Sequence, residues 1–110
     1  MKEIKAIVKT GMLDTVLDAL MGIPDLPGVT VSGIEGFGRQ RGGGDEKEGQ
    51  YAFVHKSRLE IVVPDRLVGR VVAAIREAAH TGQPGDGKVF VVDVVRAVRI
   101  RTGEEGDEAL

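Results

Sequence analysis

The chain has 110 residues, 42% of them hydrophobic and 29% charged, with fifteen Lys plus Arg set against seventeen Asp plus Glu and no cysteine. That length holds one domain, residues 1–110, around one core, and the near-neutral balance gives no global electrostatic pull toward nucleic acid or a membrane surface. Without cysteine, disulfides, thiolate metal sites and cysteine nucleophiles are all excluded. The aromatic content of 4% also argues against a base-stacking platform.

In chain order, Met1-Lys2-Glu3-Ile4 lacks the apolar core of a signal peptide. Residues 2–9 put Ile4, Ala6 and Val8 on one face and mostly charge on the other, which predicts a strand covered on one side. Leu13, Val16, Leu17, Leu20 and Met21 then recur at helical spacing, with a stop near Gly22 and prolines beyond at 24 and 27. Val29 to Ile34 is β-branched and predicts a second strand. The order repeats with a strand at Leu59 to Val63, a helix over Leu67 to Ala79 and a strand at Lys88 to Val92; Val98 to Arg101 predicts a further short strand. Ile7, Val8, Leu13, Leu17 and Ala19 answer at constant offset to Ile61, Val62, Leu67, Val71 and Ala73, which suggests a duplicated βαβ unit. The expected fold is therefore α+β, a ferredoxin-like βαββαβ plait with both helices on one face and an extra C-terminal strand. The unbroken Val89-Phe90-Val91-Val92 makes the other face too apolar for water and implies an oligomer. The most apolar stretch, Val89 to Val95, is short and carries Asp93, so no segment spans a bilayer and a cytoplasmic protein is expected. Between the halves, a glycine- and charge-rich run predicts a flexible loop at about 41–55, either a plain connection or an arm that orders on binding.

Three clusters offer anion chemistry. In Thr81-Gly82-Gln83-Pro84-Gly85-Asp86-Gly87-Lys88 the glycines let backbone N–H groups approach an anion and Lys88 supplies charge. It leads into a strand, so it is not a Walker A loop. Arg99 and Arg101 share a face if Val98 to Arg101 is a strand, which suits bidentate phosphate recognition; the alternative is pairing with the acidic residues Glu104, Glu105, Asp107 and Glu108. Gly36-Phe37-Gly38-Arg39-Gln40, at the end of the second strand, again combines bare backbone with a cation and an amide. His55 and His80 have no carboxylate or cysteine neighbour at ligand spacing, and no nucleophile–base set stands out, so neither a metal site nor an enzyme is expected.

Gly36–Gln40, Thr81–Phe90 and Val98–Glu104 together resemble the PII signal-transduction family, the trimeric nitrogen and energy sensors. The resemblance implies a homotrimer with three inter-subunit clefts for ATP or ADP. It implies that Thr81, Gly85, Asp86, Gly87 and Lys88 wrap the phosphates, with Arg99 and Arg101, some of these from a neighbouring subunit. It assigns adenine to Thr30 and the backbone at Val62 and Val63, and completes the site with Gly36, Gly38 and Arg39. Gln40 is implied to help hold Mg-ATP, which carries 2-oxoglutarate, with Lys56 on the keto acid. The implied activity is sensing: the nucleotide biases the long loop, which docks on a membrane transporter or a metabolic enzyme, with no role for nucleic acid. The loop departs from the family in being shorter and lacking its tip tyrosine, with Tyr51 falling after the tip, so uridylylation is not expected. The same departure keeps open a divergent sensor of AMP, bicarbonate or a transported solute, acting outside nitrogen metabolism.

Overall fold

A computed structural model describes residues 1–39 and 51–110. Six principal elements follow one another: β1 (Lys2–Lys9), α1 (Leu13–Met21), β2 (Thr30–Arg39), β3 (Tyr51–Val63), α2 (Val68–Ala79) and β4 (Gly87–Asp93). The strands form one antiparallel sheet in the order β2-β3-β1-β4, the order of a ferredoxin-like plait. No described helix is long and apolar enough to cross a membrane.

Strand alternation sends Ile4, Ala6 and Val8 of β1, and Leu59, Ile61 and Val63 of β3, to the same buried side. Against them α1 lays Val16 and Leu20, and α2 lays Val71, Ile75 and Ala79, each set at the four-residue spacing that keeps side chains on one helical face. Ile23 and Leu67 close the ends of this core.

The duplicated unit is present, but its offset is one residue longer than the sequence echo suggests. A 3-10 turn over Thr10–Met12 leads into α1 at Leu13, and a 3-10 turn over Asp65–Leu67 leads into α2 at Val68. On that register the buried residues match pair by pair: Ile4 with Leu59, Ala6 with Ile61, Val8 with Val63, Val16 with Val71, Leu20 with Ile75. The shorter offset would set half-exposed Ile7 against buried Ile61. A slip of one residue on a strand moves every side chain to the other face, so burial decides between them.

Three further boundaries differ from the sequence reading. β3 begins at Tyr51, not Leu59, so residues 51–55 of the supposed loop are strand, and the remainder lies outside the described residues. β2 runs to Arg39, which places Gly36 and Gly38 inside a strand rather than at its end. The expected C-terminal strand reduces to a single bridge between Val98 and Glu105. Beyond it the chain turns at once: the Gly103 N–H donates to the Arg99 carbonyl at 2.7 Å, and the Arg99 N–H to the Glu104 carbonyl at 2.8 Å.

The open face is also less uniformly apolar than β4 alone suggests. Its middle carries Glu3, Lys5, Arg58 and Glu60, with Lys5 3.8 Å from Glu3 and Arg58 Nε 3.0 Å from Glu60. Large exposed apolar side chains lie instead along β4, at Phe90, Val91 and Val92, just after it at Val95 and Ile100, which are 97% and 100% exposed, and at the paired Phe37 and Phe53 of β2 and β3.

Candidate functional site

Downstream of α2 the chain has no room to continue helically, because His80 is extended and Gly82 and Gly85 take positive φ. The resulting loop is tied together by one carboxylate. Asp86 accepts from the Thr81 N–H at 2.8 Å, from the Gly82 N–H at 3.0 Å and from the Thr81 hydroxyl, and pairs with Lys9 Nζ at 3.1 Å. Lys9 Nζ also reaches Thr81 Oγ1 at 3.2 Å, and the Gln83 N–H donates to that same oxygen at 3.2 Å. The Thr81 hydroxyl foremost, then its N–H, with Lys9 and Gly82 adding, hold the Asp86 carboxyl well below the usual carboxylate range.

A depressed carboxylate stabilises the conformation that holds it above its ordinary pKa and stops doing so as pH falls through its lowered value. The loop should therefore keep its amide protection through mildly acidic pH and lose it only in strong acid. Asp86→Asn should expose the Thr81 and Gly82 amides already at neutral pH. Amide hydrogen exchange across pH 2 to 7 reads both; equal protection in the two proteins at neutral pH would show that the carboxylate does not organise the loop.

From this loop the Gly85 carbonyl faces Lys56, whose ammonium donates to it. Both belong to a cavity of about 500 Å³ that Gly36, Gly38, Lys9 and Thr10 also line. Lys56 sits where β1 ends and β3 continues with β2 as its one paired neighbour, and Lys9 is its partner across the strands. Burial chiefly, and the neighbouring Lys9 charge second, lower the Lys56 pKa, while Asp86 opposes both.

A second group of expected site residues lies elsewhere. Thr30 and Val62 line a separate cavity of about 320 Å³ with Glu60 and Leu110. β2 pairs β3 only from Thr30 opposite Glu60 onward, so Ile61 to Val63 run past it and leave that strand edge unpaired by β2. The Val63 side chain is itself core, which leaves only its backbone for a ligand. Arg99 joins this group through Leu110, donating from Nη2 to that carbonyl at 3.0 Å and from Nη1 to Glu104 at 3.1 Å.

Known proteins match this chain over nearly its full length. A family profile described as nitrogen regulatory protein P-II matches residues 1–104. The chain belongs to the P-II family. Nitrogen regulatory protein P-II of Haemophilus influenzae is 47% identical and P-II 1 of Escherichia coli 48% identical, each aligned over all of both chains. Among solved structures, Arabidopsis thaliana PII bound to citrate superposes with a TM-score of 0.82 at 40% identity, covering 99% of this chain and 91% of that one.

Within this P-II chain the expected site is split. Gly36, Gly38, Lys56 and Gly85 meet at one cavity; Thr30, Val62 and Arg99 cluster around another. Thr30 and Gly38 are eight residues apart on one extended strand, roughly 26 Å at strand rise, too far for one nucleotide to touch both. Lys88 lines a third hollow with Asp86 and Gly87, beside Arg76 and His80 of α2's end. The co-facing of Arg99 and Arg101 is not found, because residues after Val98 form a turn rather than a strand. Arg99 instead takes the acidic alternative through Glu104, whereas Arg101 is exposed and makes no ion pair or hydrogen bond among the described residues. The Arg39 side chain and Gln40 lie outside the described residues.

Two contacts were hidden from the sequence. His55 Nε2 stands 3.7 Å from Glu35, a carboxylate twenty positions away that strand pairing sets directly opposite. Lys9 reaches Asp86 and Thr81, and only its place on the charged face of β1 hinted at a role.

Proposed function

We propose that this P-II protein is a homotrimeric, non-enzymatic sensor of adenine nucleotides, with ATP and ADP competing for clefts formed between subunits. The observation that carries the reading is the split site: each protomer presents two incomplete halves at opposite ends of its sheet. A heterologous contact, in which one end of a protomer meets the other end of its neighbour, closes into a ring and completes every cleft. The exposed apolar residues of β4, Val95 and Ile100 supply surface for such a contact.

The residues suit a polyphosphate. Lys56 and Lys88 flank a loop whose glycines put no side chain in the way of an anion, and Arg101 carries a guanidinium with no ion pair or hydrogen bond among the described residues. Mg would arrive with ATP and be held through Gln40, and 2-oxoglutarate would meet Lys56. That Arabidopsis PII takes citrate is in keeping with a family site for multiply charged anions. The nucleotide then selects among shapes of the connection between β2 and β3, because a ligand shifts an equilibrium only by its different affinity for the two states. In the proposed cytoplasmic setting, a membrane transporter or metabolic enzyme reads that connection.

Light scattering after gel filtration should give three times the protomer mass of 11.7 kDa. Calorimetric titration with ATP, ADP and AMP, each with Mg and with or without 2-oxoglutarate, should show ATP and ADP binding and 2-oxoglutarate adding affinity to Mg-ATP. Nucleotide binding without a 2-oxoglutarate effect would redirect the search to AMP, bicarbonate or a transported solute. No nucleotide binding at all would overturn the reading.

A further inference from the structure

Lys9 and Lys56 are cross-strand partners, an arrangement that normally destabilises a sheet because like charges stand directly opposite. A local rule broken in this way marks a position held for another reason. The loop after α2 shows how the repulsion is distributed. Both lysines lie against Gly85, where a Cβ would come 3.4 Å from Lys56 Nζ and 3.6 Å from Lys9 Cε. One carboxylate is within reach, and it goes to Lys9: Asp86 Oδ1 is 3.1 Å from Lys9 Nζ, while Lys56 makes no ion pair among the described residues and donates only to the neutral Gly85 carbonyl.

We infer that Lys9 is a positioning residue for the anion site: by engaging Asp86 and Thr81 it pins the 81–86 loop and keeps that carboxylate off Lys56. Lys56 is left as a charged donor without a charged partner, which is the state that receives an anionic ligand. Without Lys9, Asp86 keeps its Thr81 and Gly82 hydrogen bonds but loses its cation, and its charge turns to the remaining ammonium, which lies across the same glycine. The loop then shifts and Lys56 is neutralised from within. The inference rests on the reading of this cavity as a nucleotide and effector site, but its electrostatic half does not depend on which anion binds.

The test uses the full chain in three forms: wild type, Lys9→Met, which keeps the stem, and Lys9→Arg, which keeps the charge. Two readouts are taken. Acylation of individual lysines with limiting acetic anhydride, followed by mass spectrometry from pH 7 to 11, reports where Lys56 titrates. Calorimetry with Mg-ATP reports affinity. In Lys9→Met the titration of Lys56 should move upward, because a repelling charge is gone and Asp86 becomes its partner. Mg-ATP should bind about fivefold more weakly, a loss sized for a partly exposed ion pair. Lys9→Arg should restore both within about twofold, since a guanidinium also holds a carboxylate. An unmoved Lys56 titration in Lys9→Met, or failure of Lys9→Arg to restore it, overturns the inference. If wild type does not bind Mg-ATP, the nucleotide reading fails while the Lys56 titration still decides the role of Lys9.

Discussion

Gly87→Ala is expected to destabilise the protein by about 3 kcal/mol or more and to lower its melting temperature by about 10–20 °C. A Cβ at this position would lie 1.7 Å from the Ile7 carbonyl oxygen, 2.8 Å from its carbon and 3.3 Å from the Val8 Cα, at a φ of +109° that L-residues rarely adopt. These atoms are backbone of β1, and β1 cannot retreat, because Ile7 and Val8 are paired on their far side with Arg58 and Ser57 of β3. The strain must therefore be relieved by peeling β4 away from its pairing with β1, which uncovers Val89 and the core beneath it. Gly85→Ala is the informative contrast. Its φ of +91° carries a similar backbone penalty of about 1–2 kcal/mol, but its neighbours are the ends of two flexible lysines, which give way. Gly28→Ala, with open space around it, should be nearly neutral. Thermal denaturation followed by circular dichroism ranks the three; a Gly87→Ala protein that melts like Gly28→Ala would show that β4 does not start against β1.

The same contrast explains what the sequence made legible. Elements whose pattern is local came through: the alternation of Ile4, Ala6 and Val8, and the helical spacing of Val16 with Leu20 and Val71 with Ile75, each identify a buried face without knowledge of any partner. The first half of β3, Tyr51 to Ser57, shows no strand pattern because its polarity is mixed; there it pairs chiefly with β2 and projects past the end of β1. The β-branched pattern of the second strand stops at Ile34, yet the strand runs on through Gly36 and Gly38, sustained by continuous pairing of residues 33–38 with 52–57. At the other end, Val98 to Arg101 has a strand-like pattern but pairs at one residue only, since Gly103 turns the chain back on itself. Glycine and charge mark the loop 81–88 directly in the sequence. Its wiring through Lys9 depends on strand register, which no local pattern encodes. The division of the expected site residues between two ends of the sheet is likewise visible only once Thr30 and Gly38 are known to share one strand.

Arg101→Ala is expected to weaken ATP and ADP binding more than tenfold while leaving the melting temperature unchanged. The affinity loss follows from removing charge-assisted hydrogen bonds to phosphate, each worth roughly 1.5–3 kcal/mol. The neutral effect on stability follows from the exposure of Arg101 and its lack of an ion pair or hydrogen bond among the described residues. Arg99→Ala should differ by lowering both quantities, because Arg99 already holds Glu104 and the Leu110 carbonyl. Binding that survives in Arg101→Ala would remove this residue from the phosphate site. A mixing experiment then asks whether the site is shared between subunits. Arg101→Ala and Lys88→Ala proteins, each weak alone, are unfolded together and refolded in equal amounts. If a cleft takes Arg101 from one protomer and Lys88 from its neighbour, about one cleft in four of the whole refolded population, and about one in three within mixed trimers, contains both native residues and recovers tight binding. If both residues serve the same site from the same protomer, every cleft still carries one defect and no tight fraction appears. The recovered fraction therefore measures the feature on which the proposed function depends, a binding site that no single chain completes.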